Sequence, residues 1–228
     1  MSTGQFSSSG SATRTLDFGT SQITLTAAAT ATIWNTSTPT NLTVSGTPLV
    51  QFTGGANTAT FTINTGGLSE ANSISFTLQG TLGTVNFTSG NVIRNLTIAN
   101  TSFTYGNIAV TIYGNLLISG TTPSISGGAN AMTFAATSGT KTITTNGKTL
   151  DFPITFNGIG GTWQVVGTLT VGVSSRAITL TNGTIDFNSQ TLTGTFTFVK
   201  ATGTATVQNL TTTVALSLIH ISEPTRPE

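Results

Sequence analysis

The sequence predicts an all-β protein built as a single elongated β-solenoid, similar to a parallel β-helix, with a β-sandwich as the alternative. Only 6% of the 228 residues are charged, against roughly 25% in a typical soluble domain. Threonine, which suits a pleated and half-wet surface, occurs 53 times. Strand-like phrases also recur along the chain, and repetition of whole phrases favours stacked coils over a sandwich.

One ten-residue phrase occurs twice. Residues 143–152 read ITTNGKTLDF and residues 178–187 read ITLTNGTIDF, while a looser copy is split between residues 15–19 and 23–26. Each full copy is a short alternating run, an Asn-Gly turn and a second alternating run. The spacing from Asp151 to Asp186 is 35 residues. If the two aspartates hold equivalent places two coils apart, we expect them roughly 10 Å from each other.

Alternating runs separated by Gly, Pro and Asn-containing breakers predict the strands in chain order. In the first half, breakers such as Thr38-Pro39 and Gly54-Gly55 separate runs at 15–18, 22–26, 31–34, 41–45, 49–52, 58–63, 73–78 and 84–87. In the middle, an Asn-Leu phrase begins runs at Asn95 and Asn115, and similar phrases occur at Asn41 and Asn209. Further runs are expected at 110–113, 132–134, 143–152, 154–158, 160–165, 166–171, 178–187, 190–193, 196–198 and 205–207.

The domain organisation follows from shifts in composition. Residues 1–12 are rich in Ser and Gly and predict a flexible lead-in. Residues 13–215 form the predicted solenoid. Residues 216–228 differ in composition from the rest, being charged and containing Pro. Residues 216–226 resemble a translated transposase-type sequencing adapter over eleven consecutive positions. We therefore expect the genuine sequence to end near Ala215 and the tail to pack poorly. The tail holds the chain's only histidine, His220.

Composition argues against several classes of function. The net charge of +1 gives no electrostatic case for nucleic acid or an anionic membrane. The absence of Cys removes disulfides and thiolate metal sites. No apolar run approaches the roughly 18 residues of a membrane span. The N-terminus also lacks the basic start and apolar core of a secretion signal, so Met1 is either an internal start or the protein is exported by another route.

Several stretches resemble Thr/Gly/Asn-rich modules that repeat in tandem in phage virion and tail-fibre-like proteins and in bacterial surface proteins. The stretches are residues 8–19, 32–35, 140–153, 160–164 and 179–188. The resemblance covers residues 8 to about 215. It implies an extracellular structural or host-contact role on a virion or cell surface, with neighbouring modules of a longer chain as partners. It implies no catalytic residues.

Three aspartates, Asp17, Asp151 and Asp186, each lie between an aliphatic residue and Phe. A pair of carboxylates about 5–10 Å apart is the pattern for glycoside hydrolysis, and Asp151 with Asp186 is the candidate catalytic pair. The favoured interpretation is a solvated Asp that caps a turn or pairs with Lys148 or Arg176. We therefore predict no catalysis. A tailspike-type glycan depolymerase or a carbohydrate-binding module is the alternative.

The remaining candidates concern ligands. We predict no cofactor and no metal, because Gly-Gly-x-Gly-x-Asp calcium repeats and phosphate-binding Gly loops are missing. Trp34, Trp163, Tyr105 and Tyr113 are candidates for stacking on a cell-surface glycan if they are exposed. For the two tryptophans, which lie inside alternating strands, core filling is the favoured interpretation. Fibres are often trimeric, so a homotrimer is an oligomeric state to test.

Overall fold

The structure, a computed structural model, describes residues 1–55, 59–79, 84–88, 90–99, 104–105, 109–120 and 124–211. Within these ranges the chain is all-β without a helix, and parallel strands stack as a β-solenoid of about eight turns. The predicted fold class is therefore confirmed. The sandwich alternative is wrong, because a sandwich is built from antiparallel strands and every strand pairing among the described residues is parallel.

The strands wind around three faces of a narrow core. In chain order they are β1 Ser2–Thr3, β2 Phe6–Ser7, β3 Arg14–Asp17, β4 Gln22–Leu25, β5 Ala31–Asn35, β6 Leu42–Ser45, β7 Leu49–Phe52, β8 Thr60–Asn64, β9 Ile74–Leu78, β10 Thr84–Phe87, β11 Asn91–Ile98, β12 Thr104–Tyr105, β13 Val110–Ile112, β14 Leu116–Ile118, β15 Ser124–Ser126, β16 Met132–Phe134, β17 Thr140–Thr144, β18 Thr149–Asp151, β19 Ile154–Val166, β20 Leu169–Asp186, β21 Leu192–Lys200 and β22 Ala205–Gln208.

Parallel pairing assigns these strands to faces. The first face stacks β1, β4, β7, β9, the end of β11, β14, β17, the ends of β19 and β20, and β22. The second face stacks β2, β5, β8, β10, β12, β15, β18 and the starts of β20 and β21. The third face contains β3 and β6 and, further along, the start of β11, β13, β16, the start of β19, the middle of β20 and the end of β21.

Apolar ladders fill the core. On the first face, Val50 pairs with Phe76, then Leu96, Leu116 and Ile143, and each of these side chains is at most 1% exposed. Alternation turns their neighbours outward, which explains why threonine can occupy so many positions. Each fully buried aliphatic or aromatic side chain contributes roughly 1.5–3 kcal/mol. The repeated burial of one residue per turn is what holds the coils in register.

Both tryptophans lie in aromatic clusters of this core. The Trp34 ring stacks on Phe6, with centroids 4.3 Å apart, and meets Phe76 edge-on at 5.7 Å. The Trp163 ring contacts Phe134 and Phe156, both at 5.9 Å. The two tryptophans are completely buried. The prediction that they fill the core is confirmed.

The length of a turn varies along the first face. The register advances by 26 residues from Val50 to Phe76, by 20 to Leu96, by 20 again to Leu116, and by 27 to Ile143. Because each turn crosses a core of similar width, the missing residues come from the corner loops. The two 20-residue steps are called the short turns below.

The domain boundary predicted at residue 12 is wrong. Two short strands lie within residues 1–12, since Ser2 and Thr3 pair with Thr24 and Leu25, and Phe6 pairs with Trp34. Their register and the stacked Phe6 ring make them part of the first turn rather than a separate lead-in. Polar composition misled here because Ser and Thr also occupy the outward positions of the coils. The predicted poor packing of residues 216–228 falls outside the described residues.

The repeated phrase does not mark equivalent positions. Its first copy runs from the first face to the second face, where Leu150 pairs with Ile125 and Val171. Its second copy runs from the third face to the first face, where Ile185 pairs with Trp163. The 35-residue spacing therefore spans one turn plus two faces. Asp151 and Asp186 lie on different faces, so the expected separation of two coils is wrong.

Candidate functional site

The corner between the third and first faces carries a ladder of asparagine side chains. The register of β11 shifts between Ile93 and Leu96, so Asn95 lies at the corner and not inside a regular strand. Its Nδ2 donates to Ser75 Oγ at 2.9 Å, and its Oδ1 accepts the backbone N–H of Asn115 at 2.8 Å. Asn115 Oδ1 in turn accepts the N–H of Thr142 at 2.8 Å. These bonds connect four successive turns and hold the corner rigid.

The ladder depends on a glycine. A Cβ atom at Gly114 would lie 2.2 Å from Asn95 Oδ1 and 2.5 Å from the carbonyl oxygen of Arg94. No side chain fits at those distances. Close stacking of this corner on the one before it therefore requires glycine at position 114, immediately before Asn115.

A groove lies over this corner, where the short turns are stacked between longer ones. A depression of about 360 Å³ is lined by Glu70, Arg94, Asn95, Tyr113, Asn115 and Lys141, among others. A second depression of about 560 Å³ covers the first face, and Thr77, Thr97, Leu117 and Thr144 contribute to its lining. Arg94, Asn95 and Asn115 line both, so the two depressions adjoin. Together they are called the short-turn groove.

One side chain of the lining connects two loops that are distant in sequence. Oε2 of Glu70 accepts a hydrogen bond from the Thr137 hydroxyl at 2.6 Å and lies 3.3 Å from its backbone nitrogen. The ladder that links Ile74 to Phe134 has three steps between these two loops, which corresponds to about 14 Å along the solenoid axis. The loops must therefore lean toward each other across the short turns. This contact ties the loop of Glu70, which lines the depression, to the loop of Thr137.

Two cations line the groove. Arg94 Nη2 donates to the carbonyl oxygen of Ala71 at 2.8 Å, and this is its one hydrogen bond to the residues that the structure describes. The side chain of Lys141, which is half-buried, has no hydrogen bond or ion pair within the described ranges. The carboxylate of Glu70 is within hydrogen-bond reach of Thr137 and forms no ion pair with either cation. Donors of both cations are therefore available to a ligand.

The predicted glycan-contact residues separate into two groups. Trp34 and Trp163 are fully buried, so the hypothesis that they touch a ligand is wrong. Tyr113 is half-buried, packs against the core with part of its ring, and lines the short-turn groove. The side chain of Tyr105 lies outside the described part of the structure.

Asp151 forms an ion pair. Its Oδ1 accepts a hydrogen bond from Nε of Arg176 at 2.9 Å, and the two side chains are 11% and 20% exposed. This hydrogen bond raises the pKa of Arg176 above its ordinary value. Other corner residues accept the N–H two positions onward, as Asp17 does from Gly19 at 3.1 Å. Asp151 cannot do so because Pro153 has no N–H. The predicted pairing with Arg176 is confirmed; the predicted solvent exposure is wrong.

Asp186 caps a corner. Its Oδ1 accepts hydrogen bonds from Nδ2 of Asn209 and from the backbone N–H of Asn188, both at 2.8 Å. These two bonds, the first above all, hold the pKa of the Asp186 carboxyl below its ordinary value. The turn-capping interpretation is confirmed for this residue. The structure does not bring Asp151 and Asp186 together on one face.

Sequence reasoning missed the groove residues Glu70, Arg94, Asn115 and Lys141. Glu70 stands alone in a Gly/Ser-rich loop, and its partner Thr137 is 67 residues away. The available signal was the spacing of the Asn-Leu phrases at Asn95 and Asn115, which is shorter than that of the other repeats.

Within the described residues, no group of three or more His, Cys, Asp or Glu side chains is placed to hold a metal ion. The same residues include no helix of the length and apolar character that a membrane span requires. No protein-family model, curated protein or solved structure matches the chain.

Proposed function

We propose that this chain is a non-catalytic structural module of an extracellular fibre or surface protein, of the kind found in phage tail fibres or bacterial adhesins. The module acts as a spacer within the longer protein and presents a surface for contact with a host. The observation that supports this most directly is the parallel backbone ladder, which runs along the first face from Ser2 to Gln208.

The mechanical argument begins with that ladder. In a solenoid the backbone hydrogen bonds run along the long axis, and each turn contacts only its neighbours. A pull along the axis therefore loads a row of parallel hydrogen bonds and the apolar ladders beneath them. Outward threonines keep this rod soluble with very few charges. Residues 1–215 contain six Lys or Arg residues, so trypsin-like proteases have few sites to cut.

The role is tested by the gene and its neighbours. Structural phage genes or surface-export genes beside an uninterrupted reading frame are the expected result. Neighbouring genes for intracellular metabolism, together with a reading frame of isolated enzyme domains, would contradict the proposal.

A second experiment tests the physical claim. Small-angle X-ray scattering and analytical ultracentrifugation of residues 1–215 should show an elongated particle, as monomer or trimer. Limited proteolysis with trypsin and with a non-specific protease should leave the strands intact. A compact particle that is rapidly cut within the turns would refute the rod.

A further inference from the structure

We propose that the short-turn groove binds an acidic oligosaccharide, and that Arg94 and Lys141 receive its carboxylate group. This inference does not depend on where the protein is displayed, because it rests on the chemistry of the groove alone.

The first step is that the groove is preorganised. The side-chain oxygens of Asn95 and Asn115 are held by backbone N–H groups of the next turns, at 2.8 Å in each case. The bridge from Glu70 to Thr137 fixes the loops on either side. Binding a ligand therefore orders few protein groups, and a rigid site loses less free energy on association than a flexible one.

The second step is the charge. Of the groove's three charged side chains, Glu70 is bound to Thr137, while Arg94 keeps its Nε and Nη1 free of hydrogen bonds to the described residues. Lys141 lines the same depression and has no ion-pair partner there. An anion placed between the two cations gains charge-assisted hydrogen bonds. The planar guanidinium of Arg94 matches a carboxylate in particular, because both are flat and two-pronged.

The third step is the rest of the lining. Tyr113 and the 36%-exposed Leu117 offer apolar surface to the carbon face of a sugar ring. Thr97 and Thr144 flank Leu117 on the first face and offer hydroxyls to the ring substituents. The ladder from Thr77 to Thr144 has three steps, or about 14 Å. The groove is thus long enough for several linked sugar rings.

Other macromolecules fit less well. A peptide that adds a strand needs a free sheet edge, whereas the strands beneath the groove are paired on both sides. Single-stranded nucleic acid needs successive aromatic platforms in a strongly basic channel. Among the described residues, the lining has two aromatic side chains, Tyr113 and the buried Phe76, and two cations.

The test uses isothermal titration calorimetry of the full chain at low ionic strength with four probes. These are oligogalacturonate as the carboxylated probe, sulfated dextran oligosaccharides, neutral dextran oligosaccharides and inorganic polyphosphate. We expect oligogalacturonate to bind, with an affinity that falls as salt is added, and the neutral oligosaccharide to bind at least about tenfold more weakly. Preference for the sulfated probe would assign the anion site to sulfate and overturn the carboxylate assignment.

Matched variants locate the site. Lys141→Met and Arg94→Met should each weaken oligogalacturonate binding about tenfold or more. Lys148→Met removes the same charge from a half-buried position outside the groove and should leave binding unchanged. Far-UV circular dichroism and thermal unfolding of each variant establish that it is folded.

Besides preference for the sulfated probe, three results would overturn the proposal. One is equal loss of binding in Lys141→Met and Lys148→Met, which would indicate general charge attraction. Another is polyphosphate binding that matches oligogalacturonate and responds to the same variants. The third is the absence of binding by any saccharide probe to the folded parent protein. None of these results bears on the rod-like structural role, which has its own experiments.

Discussion

The two buried tryptophans provide a sharp test of the core, because they differ in one hydrogen bond. Nε1 of Trp34 donates to Oγ1 of Thr36 at 3.1 Å. Nε1 of Trp163 is buried and has no acceptor among the residues that the structure describes. Both side chains are 0% exposed and both lie among phenylalanine rings. We therefore expect Trp→Phe to have different effects at the two positions.

The size of the difference follows from hydrogen-bond energetics. Each Trp→Phe change removes a similar volume, so the loss of packing largely cancels between them. Trp34→Phe also loses a hydrogen bond worth about 1 kcal/mol net, while Thr36 keeps its bond to the carbonyl oxygen of Thr65. Trp163→Phe removes an unpaired buried donor, which costs about 1–3 kcal/mol in the parent. Trp34→Phe should therefore be more destabilising than Trp163→Phe by about 2–4 kcal/mol.

The assay is denaturant and thermal unfolding of the parent and both variants, followed by far-UV circular dichroism. For a chain of this size the expected difference in Tm is about 4–16 °C. Equal destabilisation of the two variants, or a larger loss in Trp163→Phe, would refute the reasoning. It would show that the Trp163 N–H has a partner, such as a buried water, that balances its burial.

Three further predictions concern the corners and the charged side chains. Gly114→Ala should destabilise the protein by about 1–3 kcal/mol through overpacking. Gly67→Ala, where nothing lies within 4 Å of the added carbon, should have little effect. Equal unfolding midpoints of the two variants would contradict the close packing of Gly114 in the asparagine ladder. Arg176→Met should lower the free energy of unfolding by about 1–3 kcal/mol, because it leaves the mostly buried Asp151 carboxylate without its cation. Lys148→Met, the control, should change it by less than about 0.5 kcal/mol. A larger loss in Lys148→Met than in Arg176→Met, measured by urea unfolding, would contradict the stabilising role of the Asp151–Arg176 pair. Asp186→Asn should lower Tm near neutral pH, and the decrease should be smaller below about pH 4. The pKa of Asp186 is depressed in the folded state. The stabilisation by the ionised carboxylate is therefore present above the pKa of the unfolded state and is lost as pH falls through the pKa of the folded state. A Tm deficit that is constant from acid to neutral pH would argue against this linkage.

The fold class could be predicted because its cause is local. Period-2 alternation and threonine-rich outward positions favour strands wherever they occur, and Asn and Gly mark the corners between them. The burial of Ile143, Leu150 and Ile185 follows from that alternation. The pairing of Asp151 with Arg176 could also be predicted, because the chain has few charged residues and therefore few possible ion-pair partners.

The misassigned repeat has a different cause from the misassigned lead-in, which followed from polar composition. Which face a strand occupies depends on how many residues each preceding corner contains, and the phrase at 143–152 recurs after one turn plus two faces. Sequence similarity reports that a strand–turn–strand unit is present. It does not report the angle around the core at which the unit begins.

Residue types and their alternation determined that this protein would be a stack of strands with a threonine-covered surface, because strand formation and burial are decided residue by residue. The tertiary structure alone decided where its candidate ligand groove lies. Glu70, Arg94, Tyr113 and Lys141 are far apart in the chain and come together only because two short turns are stacked between longer ones. The physical reason is that turn lengths accumulate along the solenoid axis, and no single stretch of sequence contains their sum.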